Sequence, residues 1–527
     1  MSSARDRAQP VGEGFAPYAW APSVAEVAAQ HGLPPQAILK LDQNTPPLPG
    51  VPQIPLALSL ASIHTYPDGT YRELCEAAAA YTGTKPENVV VGAGADDLIL
   101  LLGQVFIGPG SRAAVDPPTY PVYRIATTIR GGEITGPDGP ADVYWVCNPN
   151  NPLGTWIDPE PIVERARATD GIVVVDEAYV EFGARSCAPW VDELENLVVI
   201  RTMSKAFGFA GLRVGYALAH PETAALLTER RPPAPISGFA AAIAAAALRE
   251  PRLGDVDATI SERERVREAL VAAGYESWPT ATNFVYVKTD EPLGQRLEAE
   301  GIVVRIYRDG IRVTLGRPAE NDRFLAVLGI EPGRSGGREA MVLRTTTETA
   351  LRLTLALDGS GRTRVETGIG FLDHLLTLLG FHAGFDLELL AAGDLVVDDH
   401  HTVEDVHAAL GSALSQALGA REGLARYGSA VVPMDESRAT AAVDLVRRPH
   451  AEIDLAFGGD RVGSLAISLV RHALERFAIE AGCTVHVDAA GSDDHHVAEA
   501  AYKALGQALR QAVASGGAGI RSTKGAA

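Results

Sequence analysis

The chain has 527 residues, more than the roughly 250–300 that one hydrophobic core holds, so at least two domains are expected. A composition of 46% hydrophobic and 21% charged residues, with a mean hydropathy of +0.05, excludes a disordered or collagen-like chain. Forty-six basic against 66 acidic residues give a net charge of −20, which argues against nucleic acid as a partner.

From the start, the chain alternates β-branched runs with helical stretches. ENVVVGAG, GIVVVDEAY and NLVVIRTMS are apolar runs ending in small or polar residues. Runs of this kind predict a parallel sheet covered by helices, with its chemistry at the carboxyl ends of the strands. Gly92 to Asp97 forms a glycine turn opening the helix DDLILLLGQVF. Its free amides can hold a phosphate, although an ordinary strand–helix turn has the same look. Asn148 to Thr155 is an Asn/Pro loop after VYWVC. Asp176 ends IVVVD, with Tyr179 three residues on, a position that also suits a helix cap. Thr202-Met203-Ser204-Lys205 and Gly211-Leu212-Arg213-Val214-Gly215 follow, in SKAFGFAGLRVGY, too apolar a setting for a solvated lysine. Gly238 to Leu248 reads as an alanine-rich helix. Residues 331–340, EPGRSGGREA, have no apolar period and read as a linker. Met341 then opens an alternating strand pattern with Leu351, Leu353, Leu355 and Leu357. All five tryptophans precede residue 300, and ten of 13 histidines follow residue 340. Domains 1–330 and 341–527 are therefore expected.

In this order the glycine turn, the acid, the lysine and the arginine resemble the fold-type I pyridoxal-phosphate aminotransferases, over about residues 15–330. YPDGTYRELCEAAAAYTG, VCNPNNPLGT, VVDEAYVEF and TMSKAFGFAGLRVGYAL are most similar to the histidinol-phosphate aminotransferases. The resemblance implies an α/β fold and pyridoxal 5'-phosphate as cofactor. Lys205 would form the Schiff base and move the proton. Asp176 would keep the pyridine nitrogen protonated, which makes the ring a better electron sink. Asn151 and Tyr179 would bond the ring hydroxyl, and Tyr120 would stack on the ring. Ala95, Asp96, Thr202, Ser204 and Arg213 would hold the phosphate. Tyr66 matches a tyrosine that reaches the phosphate of a neighbouring subunit, which implies a dimer. Arg312, with Arg305 as a second candidate, would accept a carboxylate or phosphate of the substrate. Tyr18 would close over it. Asn44 matches an early asparagine of the family, but the acidic residue usual beside it is missing, and the loop between Arg305 and Arg312 is short.

The second part contains a repeat. Asp398-Asp399-His400-His401-Thr402-Val403-Glu404 returns 95 residues later as Asp493-Asp494-His495-His496-Val497-Ala498-Glu499. Gly411, Ala413, Leu414, Gln416 and Ala417 return at the same offset as Gly506, Ala508, Leu509, Gln511 and Ala512. Upstream, His374 pairs with His472, and Ala391-Ala392-Gly393 with Ala489-Ala490-Gly491. The bland reading, a satisfied core or surface histidine, holds for His382, His407, His450 and His486. In the repeated set the first His and the Glu lie four apart on one helical face. Each half offers three imidazoles and one carboxylate, so two metal ions are expected, each with three His and one Glu. Manganese, iron or zinc would suit.

TTTET, TGIGFLDHLL, DDHHTVED, PMDES, the HHVAE repeat and STKG resemble imidazoleglycerol-phosphate dehydratases over residues 342–524. The resemblance implies an α+β domain of two duplicated halves, like domain 2 of ribosomal protein S5. It also implies two manganese ions per site set and a 24-subunit shell with sites between subunits. Glu348 would be the catalytic carboxylate, with Asp435 and Glu436 in the matching PMDES. Arg426, Arg448, Lys503, Ser522 and Lys524 would hold the phosphate. A solvated tail is the plainer reading of Lys524.

Together the two resemblances imply a fusion of consecutive steps of histidine biosynthesis. Imidazoleglycerol phosphate would lose water to give imidazole acetol phosphate, which glutamate would aminate to histidinol phosphate. Two other readings stay open for the first part: an aromatic or other amino-acid transaminase, or a non-catalytic regulatory module. Cys75, Cys147, Cys187 and Cys483 include no Cys-x-x-Cys, MSSARDRAQP carries no apolar stretch, and no run is long enough to span a bilayer. A cytoplasmic homo-oligomer without a membrane partner is expected.

Overall fold

The computed structural model describes residues 11–46, 64–251, 254–331 and 338–516. They fall into two compact units, one drawn from 1–22, 40–317 and 327–330, the other from 23–39, 318–326 and 331–527. Two short segments assigned to the first domain by sequence thus group with the second unit. Among the described residues no helix is long and apolar enough to cross a membrane.

The first unit is built on a seven-stranded sheet. Its order is Val89–Gly92, Gly215–Ala219, Leu197–Thr202, Ile172–Asp176, Val143–Cys147, Arg112–Val115, Glu133–Thr135. The apolar runs are buried on both faces: Val173 and Val175 pack into one core cluster, Val174 into another. The expected all-parallel sheet is corrected at one strand, since Gly215–Ala219 runs antiparallel to both neighbours. The short stretch between Thr202 and Gly215 forms a 3-10 turn but no crossover helix, and a parallel return needs one. The alanine-rich segment is the helix Gly238–Arg249, capped by the Ser237 hydroxyl on the Ala240 amide at 3.1 Å. A three-stranded sheet, Phe284–Lys288, Gly310–Thr314 and Arg305–Tyr307, carries Arg305 and Arg312 directly opposite each other.

The second unit repeats one topology. Glu339–Thr345, Thr349–Ala356, Asp386–Gly393 and Thr363–Glu366 form a four-stranded sheet in that order. Tyr427–Met434, Ser437–Asp444, Thr484–Ala490 and His450–Leu455 form the second in the matching order. Leu351, Leu353 and Leu355 alternate into a single core shared by both halves. The first strand begins at Glu339, two residues inside the presumed linker, and Ala340 is buried.

The helices cross over between the halves. Gly370–Ala383 packs on Asp494–Val513, and His400–Leu418 packs on Ser468–Ala481. The repeated glycines are the crossing points. A Cβ at Gly411 would lie 2.5 Å from the Phe477 carbonyl, and one at Gly506 2.8 Å from the Leu379 carbonyl. His407 and Tyr502, equivalent positions of the repeat, meet in the core: imidazole Nε2 lies 2.9 Å from the phenol oxygen and Nδ1 2.8 Å from the Val403 carbonyl. Burial pushes His407 down to about 4, so it sits there neutral.

Candidate active and metal sites

In the first unit one cavity of about 660 Å³ is lined by every cofactor and substrate residue read from the sequence except Tyr66. Most come from loops at strand carboxyl ends: Asp176, Thr202 and Lys205 follow from neighbouring strands, and Ala95 opens the helix Ala95–Phe106. Gly94 caps that helix at φ +86°, where a Cβ would stand 2.9 Å from the Arg213 guanidinium. The turn and Arg213 can approach this closely only because position 94 is glycine. Arg213 lies 3.2 Å from the Asp96 carboxylate, which also accepts the Tyr120 hydroxyl at 2.8 Å. Thr202 donates to Ser204 at 3.0 Å.

Burial and the nearby Arg312 charge bring Lys205 down to about 8, against 10.5 for a free lysine. Its ammonium donates to the Gln43 carbonyl at 3.1 Å. Burial pushes Asp176 up to about 6, while hydrogen bonds from Tyr123 and the Ala178 amide oppose the rise. Arg312 is buried, donates to Asn151 at 2.5 Å and to the Asp42 carbonyl at 2.6 Å, and lies over the Phe284 ring. Asn44 donates to the Tyr179 hydroxyl at 2.8 Å. Arg305 holds the N-terminal arm, with its guanidinium over the Tyr18 ring and a bond to the Ala19 carbonyl at 2.8 Å.

Tyr66 is 93% exposed and lines a separate cavity with Tyr71 and Phe239, away from Lys205. Residues that sequence reasoning missed include Trp20, Asp42, Cys147 and Tyr123. Behind the site, Arg201 pairs with Glu177 and Glu181, each at 2.9 Å, and ties two strand ends together. The residues present fit pyridoxal phosphate. The cavity has the volume of a cofactor pocket, a glycine-turn helix start and Arg213 sit at one end, and a lysine and a strand-end acid line its wall.

In the second unit the repeated ligands form two clusters, each drawn from both halves. His374 joins His495 and Glu499, and His400 and Glu404 join His472, with ligand atoms within 4.8 Å of one another. Each cluster brings together two His and the Glu of the expected set, with the His of one half meeting the His/Glu pair of the other. His374 lies 2.5 Å and His495 3.1 Å from the Glu499 carboxylate. Burial works against the Glu499 charge, yet bonds from His374 and Lys503 hold its carboxyl down at about 2. His472 Nε2 is buried with no hydrogen-bond partner, which leaves its lone pair for a metal. An imidazole–carboxylate set this compact fits a divalent transition metal.

His401 and His496 turn away, because adjacent helical residues point about 100° apart. His401 Nδ1 lies 3.1 Å from Asp394, beside the exposed Glu348, and its pKa is raised by that bond. His496 Nδ1 lies 2.9 Å from Glu436, with Asp435 at 3.8 Å from Nε2. Lys503 is held by Glu499 at 2.7 Å. Arg426 binds Asp444 through two bonds, and Arg448 is exposed. Both arginines lie at the opposite end of the second sheet from Asp435, about 25 Å away along an eight-residue strand. Ser522 and Lys524 lie outside the described residues.

The sequence model of class I and II aminotransferases matches residues 26–136 and 136–328, and that of imidazoleglycerol-phosphate dehydratase matches residues 367–509. An imidazoleglycerol-phosphate dehydratase of Granulibacter bethesdensis is 49% identical over 193 residues, which cover 36% of this chain and 98% of that one. One from Phytophthora nicotianae is 51% identical over 195 residues, 37% of this chain and 43% of its own length. Among solved structures, histidinol-phosphate aminotransferase from Sinorhizobium meliloti, in complex with pyridoxal-5'-phosphate, has a TM-score of 0.54. It is 26% identical and covers 59% of this chain and 94% of its own. Aspartate aminotransferase from Thermotoga maritima has a TM-score of 0.51 at 17% identity over 58% of this chain and 93% of its own, a likeness of fold alone.

Proposed function

This chain belongs to the class I and II aminotransferases through residues 26–328 and to the imidazoleglycerol-phosphate dehydratases through its later part, and we propose that it couples their two reactions in sequence. The dehydratase part turns imidazoleglycerol phosphate into imidazole acetol phosphate, and the aminotransferase part converts this ketone with glutamate into histidinol phosphate. The observation carrying the reading is one cavity in which Lys205, Asp176 and Arg213 meet a buried second arginine, Arg312, able to receive an anionic substrate end.

Pyridoxal phosphate, when bound, supplies the electron sink for a carbanion. The Ala95 and Asp96 amides with Thr202, Ser204 and Arg213 bind its phosphate, Tyr120 stacks on its ring, and Asn151 and Tyr179 bond its hydroxyl. Asp176 holds the proton on its ring nitrogen. Lys205 Nζ removes the proton from the substrate Cα and returns it elsewhere. Arg312, with Arg305, orients the carboxylate of glutamate or the phosphate of the second substrate, and Tyr18 covers it. Tyr66, exposed as it is, serves the neighbouring subunit of a dimer.

Manganese, two ions per chain, supplies the Lewis acid for dehydration. The two clusters, each completed by His401 or His496 of a neighbouring copy, would hold it, and Glu348 or Asp435 would move the proton as the hydroxyl leaves. Arg426 and Arg448, with Lys503, Ser522 and Lys524, take the phosphate. Since these arginines and Asp435 lie at opposite ends of one sheet, we infer that each dehydratase site is completed between copies, in an assembly of up to 24. The four cysteines are free, which suits the cytoplasm.

The test incubates the chain with imidazoleglycerol phosphate, glutamate, pyridoxal phosphate and manganese. Histidinol phosphate and 2-oxoglutarate are expected. Lys205→Ala should stop at the ketone, and a strong chelator should stop before it. Transamination that persists in Lys205→Ala, or an aromatic keto acid preferred over the imidazole ketone, overturns the first half. Metal-free dehydration overturns the second.

A further inference from the structure

We propose that Tyr123 is a positioning residue for transamination, its hydroxyl fixing the Asp176 carboxylate that receives the cofactor's ring nitrogen. The inference rests on the aminotransferase reading above and adds to it a residue that does not line the cavity.

The two tyrosines of DPPTYPVY have separate tasks. Tyr120 faces the cavity and bonds Asp96. Tyr123, on the helix Val122–Thr128, is wholly buried behind it, with its ring 5.8 Å from that of Tyr120. The Tyr123 ring stacks on Trp145 at 5.4 Å and 11°. Trp145 in turn donates to the Thr127 hydroxyl at 3.2 Å, and Thr127 donates to the Tyr123 carbonyl at 2.9 Å. The phenol is thus clamped by its ring and by its own helix, with little freedom left at χ1.

Its hydroxyl donates to Asp176 Oδ2 at 2.7 Å, while Oδ1 accepts the Ala178 amide at 3.1 Å. One donor on each oxygen stops the carboxylate from rotating and leaves one lone-pair site free on each oxygen. Donors to a buried carboxylate also favour its charged form, the form able to hold a proton on a pyridine nitrogen. Burial places the phenol's own pKa well above the ordinary value, so it remains a donor at every working pH. No other side chain bonds Asp176 among the described hydrogen bonds.

The experiment uses the full chain stripped of cofactor and titrated with pyridoxal phosphate by absorbance. Wild type, Tyr123→Phe, Asp176→Asn and the double variant are compared. Tyr123→Phe removes one oxygen and keeps the stacking ring. It should weaken cofactor binding about 10- to 100-fold, the worth of a hydrogen bond to a charged group. It should lower kcat while leaving KM for glutamate within about twofold, because the bond acts on the chemical step rather than on substrate. In the Asp176→Asn background the same change should have no further effect. Tyr123→His, which keeps a donor, should recover part of the affinity, and it serves as the second variant if Phe folds poorly. Unchanged cofactor affinity in Tyr123→Phe, or the same loss with and without Asp176, overturns the proposal while wild-type binding leaves the aminotransferase reading intact. A wild-type chain that takes up no pyridoxal phosphate overturns both.

Discussion

Lys205 shows how the fold changes the chemistry of one side chain. A lysine in water is protonated at neutral pH and does not attack an aldehyde. Here burial and the Arg312 charge bring it to about 8. A lowered pKa means that the free amine appears at lower pH, so the rate of pyridoxal phosphate capture by the stripped chain should rise between about pH 6.5 and 8 and flatten above about 9. Stopped-flow absorbance reads this directly. A rate that keeps climbing towards pH 10 would mean an ordinary, solvated lysine. The type and order of such residues were legible in sequence, because a lysine in SKAFGFAGLRVGY has no polar company to keep it at the surface. The partners that tune them were not. Tyr123 reaches Asp176 from a different strand–helix unit, and nothing in DPPTYPVY says which tyrosine faces the cavity.

The duplicated helices show what spacing leaves open. An i, i+4 His/Glu pair fixes which two ligands share a helical face, and both pairs, His400 with Glu404 and His495 with Glu499, stand in one cluster each. Spacing does not say which half supplies the third ligand. That follows from Gly411 and Gly506, which let each helix approach the helix of the other half. A prediction separates the two pairings. His374→Ala with Glu499→Gln removes two ligands from one cluster, so metal content should fall from about two ions per chain to one. His374→Ala with Glu404→Gln damages both clusters, and content should fall towards zero, each loss reflecting at least a tenfold weaker site. Metal analysis of the purified variants checks this. The opposite ranking would mean that each half binds its metal alone.

Over the whole chain, the residues that divide it decide whether its activities can be separated. The segment 331–340 has no apolar period and reads as a linker, yet Glu339 and Ala340 pair with Ala356 and Leu355 in the first strand of the second unit. Arg338 binds Asp358, and its carbonyl accepts the Leu357 amide at 2.9 Å. A chain of residues 338–527 should therefore dehydrate with manganese on its own. One of residues 341–527 should melt lower by about 2–4 °C for each kcal/mol of strand pairing lost. Thermal unfolding and activity of the two pieces test this, and an inactive but assembled 338–527 would mean that its site borrows residues from before 338. Alternation, strand-end polar residues and an internal repeat are local patterns, so the two folds, the candidate roles of Lys205 and Asp176, and the His/Glu faces of the repeat could be read from the order of residues. The antiparallel strand Gly215–Ala219, the exchange of ligands between halves, and the turning of His401 and His496 towards carboxylates could not. Each depends on which surfaces pack together across long stretches of chain, and packing is settled by shape and close approach rather than by sequence spacing.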